Sequence, residues 1–538
     1  MTQLPSAEAV VGNFEDTEYE WEGKKYSFYR EGEEFRVRIQ DLEDPEKPIV
    51  DKPFVLTTGS HHFQAYWLPS GNTRALDVFP LLYRIADGRW MPLASQFIHP
   101  PGFYHDFNRA GAWNVTCNRC HTTHSRPRIE DGLNMDSYVA EFGISCESCH
   151  GPAEQHVANA HENIDEMAII QPEKLTPIRS AQVCGSCHGA LDYKTEEDKE
   201  YWRIHGFPYR PGDDLLKHRS AVNSGKKQYW PDGMLRVSGR EYNGLTESPC
   251  FKHHDATRQM TCLSCHQMHQ SLDDPRPTEE WANDQLKYAM DSNIPGRQND
   301  QACIQCHEQF RGDEALTQHT HHAADSTGSR CYNCHMPHTT WGVMKAMRSH
   351  TVSSPSVKES LHPIERPNAC NLCHLDKTLK WTATKLNEQY GQPIPELVSD
   401  EQAVAASLLW GLKGDAGQRA LVAWSMGWTP ALEISGGLWM APVLAQLLED
   451  PYYVVRSTAY ESLKKIEGFE ALEYDFVGSS EDRRAAKNEA LRIWRQLQED
   501  AEKTNDPATL RGEDGRLMQN VFNRLLRRRN NEEVFLEE

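Results

Sequence analysis

Apolar and polar residues alternate over Phe35-Arg36-Val37-Arg38-Ile39-Gln40, the period of a half-buried strand. Residues 25–30 precede it across Glu31-Gly32-Glu33, so the pair reads as a hairpin. Residues 81–85 followed by Ala86-Asp87-Gly88 give another strand and turn. Aromatic and β-branched residues are frequent and helical periodicity is poor, which predicts a β-rich N-terminal region over 1–112. Residues 113–380 show few long periodic runs and are rich in Gly, Pro, Asn, Asp and His, so short helices and loops are expected. Pro211-Gly212-Asp213 and Pro231-Asp232-Gly233 mark turns within a loop insertion. Over 381–500 the period becomes helical, with one stripe of Val404, Leu408, Leu409 and Leu412 and another of Val443, Leu444, Leu447 and Leu448. Asp450-Pro451 reads as a helix start, with Asp as cap and Pro in the first turn; Val455, Ala459, Leu463 and Ile466 share a face of the helix it opens. Successive helix pairs of this length predict a short α-solenoid. The charged tail, 501–538, carries Leu517, Met518, Val521, Phe522, Leu525 and Leu526 at helical spacing beside Arg524, Arg527, Arg528 and Arg529. That is a docked amphipathic helix, or a surface for an acidic partner or a membrane.

Composition narrows the class. With 538 residues, 38% of them hydrophobic and 25% charged, the chain is long enough for several domains and is neither fibrous nor disordered throughout. A formal charge of −21 would repel nucleic acid. No apolar run reaches the length of a transmembrane span.

Fifteen cysteines and 25 histidines carry the chemistry. Fourteen of the cysteines fall in seven copies of Cys-x-x-Cys-His, each ending in the histidine: Cys117, Cys120 and His121; Cys146, Cys149 and His150; Cys184, Cys187 and His188; Cys262, Cys265 and His266; Cys303, Cys306 and His307; Cys331, Cys334 and His335; Cys370, Cys373 and His374. Chance would place about 0.02 copies in such a chain. Two thiols three residues apart lie on one side of a helical turn, where they can add to the two vinyl groups on one porphyrin edge. The adjacent imidazole then reaches the iron as proximal ligand. Zinc sites would need paired Cys-x-x-Cys halves and no histidine after every second cysteine. The pattern predicts seven haem c groups with their iron. Cys250 stands outside it and reads as a buried free thiol, with an intermolecular disulfide or an unusual iron ligand as the alternatives. Covalent haem attachment occurs outside the cytoplasm, so the setting is expected to be periplasmic or extracellular. Residues 1–10 have neither a basic start nor an apolar stretch, and an export signal is expected to have been removed from the chain as it stands.

Eighteen further histidines are available for the sixth position. A histidine three residues beyond a proximal histidine lies on the same side of its own ring, so His124, His269 and His338 are expected to bind neighbouring irons. His156, six residues past His150 across Gly151-Pro152, reaches a neighbour more easily than the far face of its own haem. His62, His322 and His350 complete the candidate distal set, with His61 and His321 as alternatives in the two doublets. His99, His105, His161, His205, His218, His253, His254, His319 and His362 are weaker candidates.

Residues 145–156 (SCESCHGPAEQH), 260–269 (MTCLSCHQMH), 326–337 (STGSRCYNCHMP) and 367–374 (PNACNLCH) resemble multihaem cytochromes c of the hydroxylamine-oxidoreductase-like superfamily. That group includes tetrahaem electron carriers of ammonia oxidisers and haem nitrite reductases. The resemblance covers roughly 55–380, and DPYYVVRSTAYESLKKI within the helical region resembles a HEAT repeat. It implies a multihaem cytochrome c core of short helices and loops around closely packed, mostly bis-histidine haems, between a β-rich N-terminal region and an α-helical HEAT-like C-terminal domain. The nitrite reductases use a proximal lysine at the active haem, whereas all seven motifs here end in histidine.

Space also favours a relay. A unit the size of 113–380 has a radius of gyration of about 18 Å, so evenly scattered rings sit about 20 Å apart by centre and about 10 Å by edge. The expected function is transfer of single electrons between redox partners, a donor and an acceptor with basic docking surfaces, within an oligomer or membrane-associated complex or without one. The alternative is a haem oxidoreductase acting on a small nitrogen or sulfur compound (nitrite, hydroxylamine or tetrathionate type) at one open-coordination haem.

Overall fold

The computed structural model describes residues 2–71, 73–102, 111–130, 134–164, 166–223, 227–290, 300–500 and 505–537. The chain divides into two compact units, the first comprising Met1–Ala94, Phe103–Val222 and Thr261–Leu263, and the second Ser95–Gly102, Asn223–Met260 and Ser264–Glu538. The division runs through the motif-bearing segment.

The first unit opens with nine strands: β1 (Thr2–Gln3), β2 (Thr17–Trp21), β3 (Lys24–Glu31), β4 (Glu34–Asp41), β5 (Val50–Pro53), β6 (Leu56–Thr58), β7 (Phe63–Pro69), β8 (Leu76–Arg84) and β9 (Arg89–Pro92). They form two antiparallel sheets, β2-β3-β4-β5 and β1-β6-β7-β8-β9. Alternation along β4 buries Phe35 and Val37 and leaves Arg36 and Arg38 to pair with Asp51. The expected hairpin is present, with Glu31 opposite Glu34 and Gly32 at φ +62°, as is the β8–β9 turn with Gly88 at φ +62°. Between the sheets lies an aromatic core in which Phe28 stacks on Trp90 at 3.9 Å, while Phe14 meets Phe28, Phe35, Phe54, Tyr66 and Trp90 edge-on. Gly59 must be glycine: at φ +95° a Cβ would stand 2.2 Å from the Phe63 carbonyl oxygen. Gly59→Ala should therefore cost roughly 1–3 kcal/mol, read as a lowered midpoint of thermal unfolding by near-UV circular dichroism.

Beyond the sheets the first unit holds short helices, Asn118–His121, Cys146–His150, Glu154–His161, Pro177–Gly185 and Glu196–His205. Its apolar clusters there are small, such as Ala75, Ile129, Met135 and Trp202. Val157, Ile164, Met167 and Ile178 stand largely exposed near the motifs, which is the surface that bulky apolar groups bound there would cover.

The second unit has one large core built chiefly by five helices, each packed on the next in the order Ala406–Lys413, Ala416–Ser425, Tyr453–Leu463, Ala441–Leu447 and Ser480–Asp500. Both predicted stripes are buried, as are Val455, Ala459, Leu463 and Ile466. Asp450 does not cap the following helix, which starts at Tyr453. Its carboxylate is instead held by Arg419, and Pro451 precedes the first turn. Helix Gln519–Leu526 buries Phe522 and Leu525 in the same core, and Arg524 and Arg528 bind the Asp400 carboxylate at 2.8 and 3.3 Å. The arginine-bearing tail is thus docked by both its apolar face and its charges. No described helix is long and apolar enough to cross a membrane.

Candidate haem-binding sites

Each attachment motif sits on a tight turn. Backbone bonds from His188 to Cys184, His307 to Cys303 and His374 to Cys370, at 2.8, 2.9 and 2.8 Å, close one helical turn across the motif. Helices Cys146–His150 and Cys331–His335 do the same. This is the geometry that sets two thiols beside one edge of a flat ligand and turns the histidine under it.

The proximal imidazoles are oriented from behind. Nδ1 of His150, His266 and His335 donates to the carbonyl oxygens of Ile170, Asp284 and Ser353 at 2.6, 3.0 and 2.9 Å. A ring that donates through Nδ1 keeps the Nε2 lone pair for a metal, and the bond makes that nitrogen a stronger ligand. Burial holds His121 and His374 below the usual histidine range, in the neutral form that binds iron.

Three proximal rings in the second unit face a second imidazole. His266 and His350 lie 6.3 Å apart by ring centre with planes inclined 17°, His335 and His319 6.2 Å and 3°, and His374 and His322 6.0 Å and 29°. An imidazole nitrogen bonds a first-row transition metal at about 2 Å, which puts each ring centre about 3 Å from the metal and the two centres about 6 Å apart. Rings that were packed against each other would sit closer. The spacing therefore fits one iron between each pair. The distal rings are braced in the same way: Nδ1 of His322 donates to the Thr320 carbonyl at 2.6 Å and that of His350 to Arg348 at 3.3 Å.

His322 and His350, expected as distal ligands, are thus brought to proximal partners. His319, one of the weaker candidates, stands opposite His335 and stacks on Phe310 at 4.3 Å. His321 instead ends helix Asp313–Thr320 in the left-handed conformation, its ring against Tyr390. His156 donates through Nδ1 to Met167 at 2.6 Å, leaving Nε2 for a metal. The remaining expected ligands are placed differently. His338 packs against Trp424 and Trp428 at 4.6 and 5.1 Å, and its basicity is lowered by burial and then by Arg348. Nε2 of His124 accepts from the Arg210 guanidinium at 2.9 Å, so its lone pair is engaged. His62 leads into β7 beside His61, and His269 is exposed in the loop after the fourth motif. His218 donates to the Asp198 carboxylate at 2.8 Å. His105 lies outside the described residues. Cys250 is half-buried, and burial raises its thiol pKa.

Attachment points of different motifs adjoin. The Cys120 thiol lies 3.7 Å from the Cys187 carbonyl oxygen. The thiols of Cys120 and Cys187, Cys184 and Cys262, and Cys303 and Cys331 are within hydrogen-bonding reach of each other. The first motif therefore neighbours the third, the third the fourth, and the fifth the sixth, while Thr123 just after the first motif bonds Ser148 inside the second at 2.8 Å.

Comparison with known proteins agrees with this chemistry. Residues 105–151 match the family described as cytochrome c554 and c-prime. Its match and its seven Cys-x-x-Cys-His motifs make the chain similar to multihaem c-type cytochromes. It is 22% identical over 235 residues to the multihaem cytochrome MtrA of Shewanella baltica (strain OS185); the match spans 44% of this chain and 43% of that protein, less than half of each. The crystal structure of the outer cell wall cytochrome OcwA superposes with a TM-score of 0.41 at 15% identity, over 82% of this chain and 88% of that one.

Proposed function

We propose that this cytochrome relays single electrons between a donor and an acceptor protein through seven covalently attached haems, one at each Cys-x-x-Cys-His motif, in a periplasmic or extracellular setting. The observation that carries the reading is the set of three imidazole pairs at 6.0–6.3 Å. Haem iron, when bound, takes up and releases one electron. The rest is the work of the chain. With haem bound, the paired imidazoles would hold the iron from both sides and so keep substrates off it. Carbonyl-anchored Nδ1 groups fix the ring orientation and, by strengthening the ligands, favour the ferric form. Short separations between attachment points, Cys120 to Cys187 and Cys303 to Cys331, favour transfer from motif to motif.

The remaining distal ligands we assign to His62, His124, His156, His269 and His338 only as a pool from which the other sites draw. The arrangements of His124 and His338 described above count against those two. The helices of 381–500 are read as a HEAT-like docking arm, and the charge of −21 favours basic partners and salt-dependent encounter.

The test is electron paramagnetic resonance and magnetic circular dichroism of the oxidised protein, with haem quantified as the pyridine haemochrome. Seven haems per chain, all low-spin, are expected. A high-spin ferric signal that responds to nitrite or cyanide would instead favour the oxidoreductase reading, and materially fewer haems would overturn attachment at all seven motifs.

A further inference from the structure

The last carbonyls of a helix have no backbone donors of their own. Helix Asp313–Thr320 ends between the two histidines read above as distal ligands, and the His321 amide takes the Thr317 carbonyl at 2.8 Å. The His319 carbonyl accepts instead from the Tyr390 hydroxyl at 2.7 Å, across 71 residues of chain. We propose that Tyr390 is a positioning residue for the haem of the sixth motif, its hydroxyl holding the 319–322 backbone so that the His319 imidazole stays opposite His335. This role rests on the ligand reading above and brings a residue from beyond the seventh motif into the site of the sixth.

Tyr390 can hold that backbone because its own element is fixed at both ends. It closes helix Leu379–Tyr390, whose first turn is capped by the Thr378 hydroxyl, which accepts from the Trp381 amide at 3.1 Å. Leu379, Ala383 and Leu386 lie in the large core of the second unit. Past Tyr390 the chain turns at Gly391, φ +67°, and the Gly391 and Gln392 amides return to the Asn387 and Leu386 carbonyls at 2.9 and 3.2 Å. Helix Asp313–Thr320, by contrast, has eight residues and buries only Leu316. Its end needs support from outside. The rings of His322 and His350 are braced through Nδ1 by carbonyl oxygens, whereas among the described residues no such bond reaches the His319 ring. The His319 imidazole rests on Phe310 at 4.3 Å and meets the Tyr390 ring edge-on at 6.3 Å and 78°. Tyr390 also meets the His321 ring edge-on at 5.3 Å, so one side chain touches both imidazoles and bonds the backbone between them. The 3° angle between the His319 and His335 planes is thus kept by one aromatic stack and one hydrogen bond to the backbone.

The test uses the full haem-loaded chain. Tyr390→Phe keeps the ring and deletes the hydroxyl; the side chain is 44% exposed, so the variant should fold and carry its haems as the parent does, checked by far-ultraviolet circular dichroism and haemochrome. Electron paramagnetic resonance identifies the haem in question by the low-spin signal lost in His319→Ala. In Tyr390→Phe that signal should stay low-spin with shifted g values, because the relative orientation of the two imidazole planes sets them. In the reduced protein, carbon monoxide should displace His319 about fivefold more readily, the change in equilibrium that one hydrogen bond of ordinary net strength supports. Tyr390→Leu, which removes the ring as well, should shift both readouts further. Parent-like g values and carbon monoxide affinity in Tyr390→Phe, with His319→Ala still producing a high-spin haem, would overturn the positioning role and leave the ligand reading standing. If His319→Ala loses no low-spin signal, the ligand reading fails and the positioning role falls with it.

Discussion

His319→Ala should convert one haem equivalent of the oxidised protein from low-spin to high-spin ferric iron, and His322→Ala should convert a different one. The two rings stand opposite His335 and His374 at 6.2 and 6.0 Å. His321 cannot take over for either without rebuilding the turn, because it leaves helix Asp313–Thr320 at φ +58° with its ring on Tyr390. Loss of one axial nitrogen opens the iron to water or small ligands and raises its potential. The double variant should show two high-spin equivalents, whereas His321→Ala should show none. Added imidazole should restore the low-spin signal in the single variants, which a collapsed fold would not permit. Low-spin spectra in both single variants would remove the basis for these ligand assignments. His350→Ala should behave likewise at the haem held by His266.

A single tetrapeptide, residues 319–322, would thus serve two irons, and this explains which part of the site was legible beforehand. Proximal ligation is written locally: two thiols and an imidazole on one helical turn need only five consecutive residues. Distal ligation is written in tertiary structure. The offset of three residues after a motif placed His124 and His338 on the correct side for neighbouring irons, yet Arg210 engages the first and two tryptophans enclose the second. The spacing favours His322 over His319, although a helix ending between them lets both rings face a proximal imidazole. The cue was present in the doubled histidines after His319, but choosing among them needed the left-handed residue at His321. The strands and helix stripes were readable because their periods match their burial, as Phe35 and Val37 or Val455 and Ala459 show. Asp450 was misread because an aspartate before a proline looks like a cap. Its true partner, Arg419, lies 31 residues earlier.

That pairing predicts the largest stability effect in the second unit. The Arg419 and Asp450 side chains are 1% and 0% exposed and bond twice, Nε to Oδ2 at 2.7 Å and Nη2 to Oδ1 at 3.2 Å. Arg419 also donates to the Gly414 carbonyl at 2.7 Å, and Asp450 accepts from the Tyr452 amide at 3.1 Å. The guanidinium therefore ties the end of one helix to the start of another, with Asp450 as its buried counter-charge. Asp450→Ala strands that cation and leaves the Tyr452 amide without its acceptor, at a cost of roughly 3–5 kcal/mol. Asp450→Asn keeps an acceptor for the amide and should lose less. Removing both charges, as in Arg419→Met with Asp450→Leu, should restore much of the loss, since a buried ion pair contributes little over apolar residues of similar volume. Chemical unfolding followed by far-ultraviolet circular dichroism, which reports the helices, with the Soret band tracking the haems separately, reads this out. If Asp450→Ala unfolds within about 1 kcal/mol of the parent, or the double replacement is no better than the single, the buried pair does not hold these helices together.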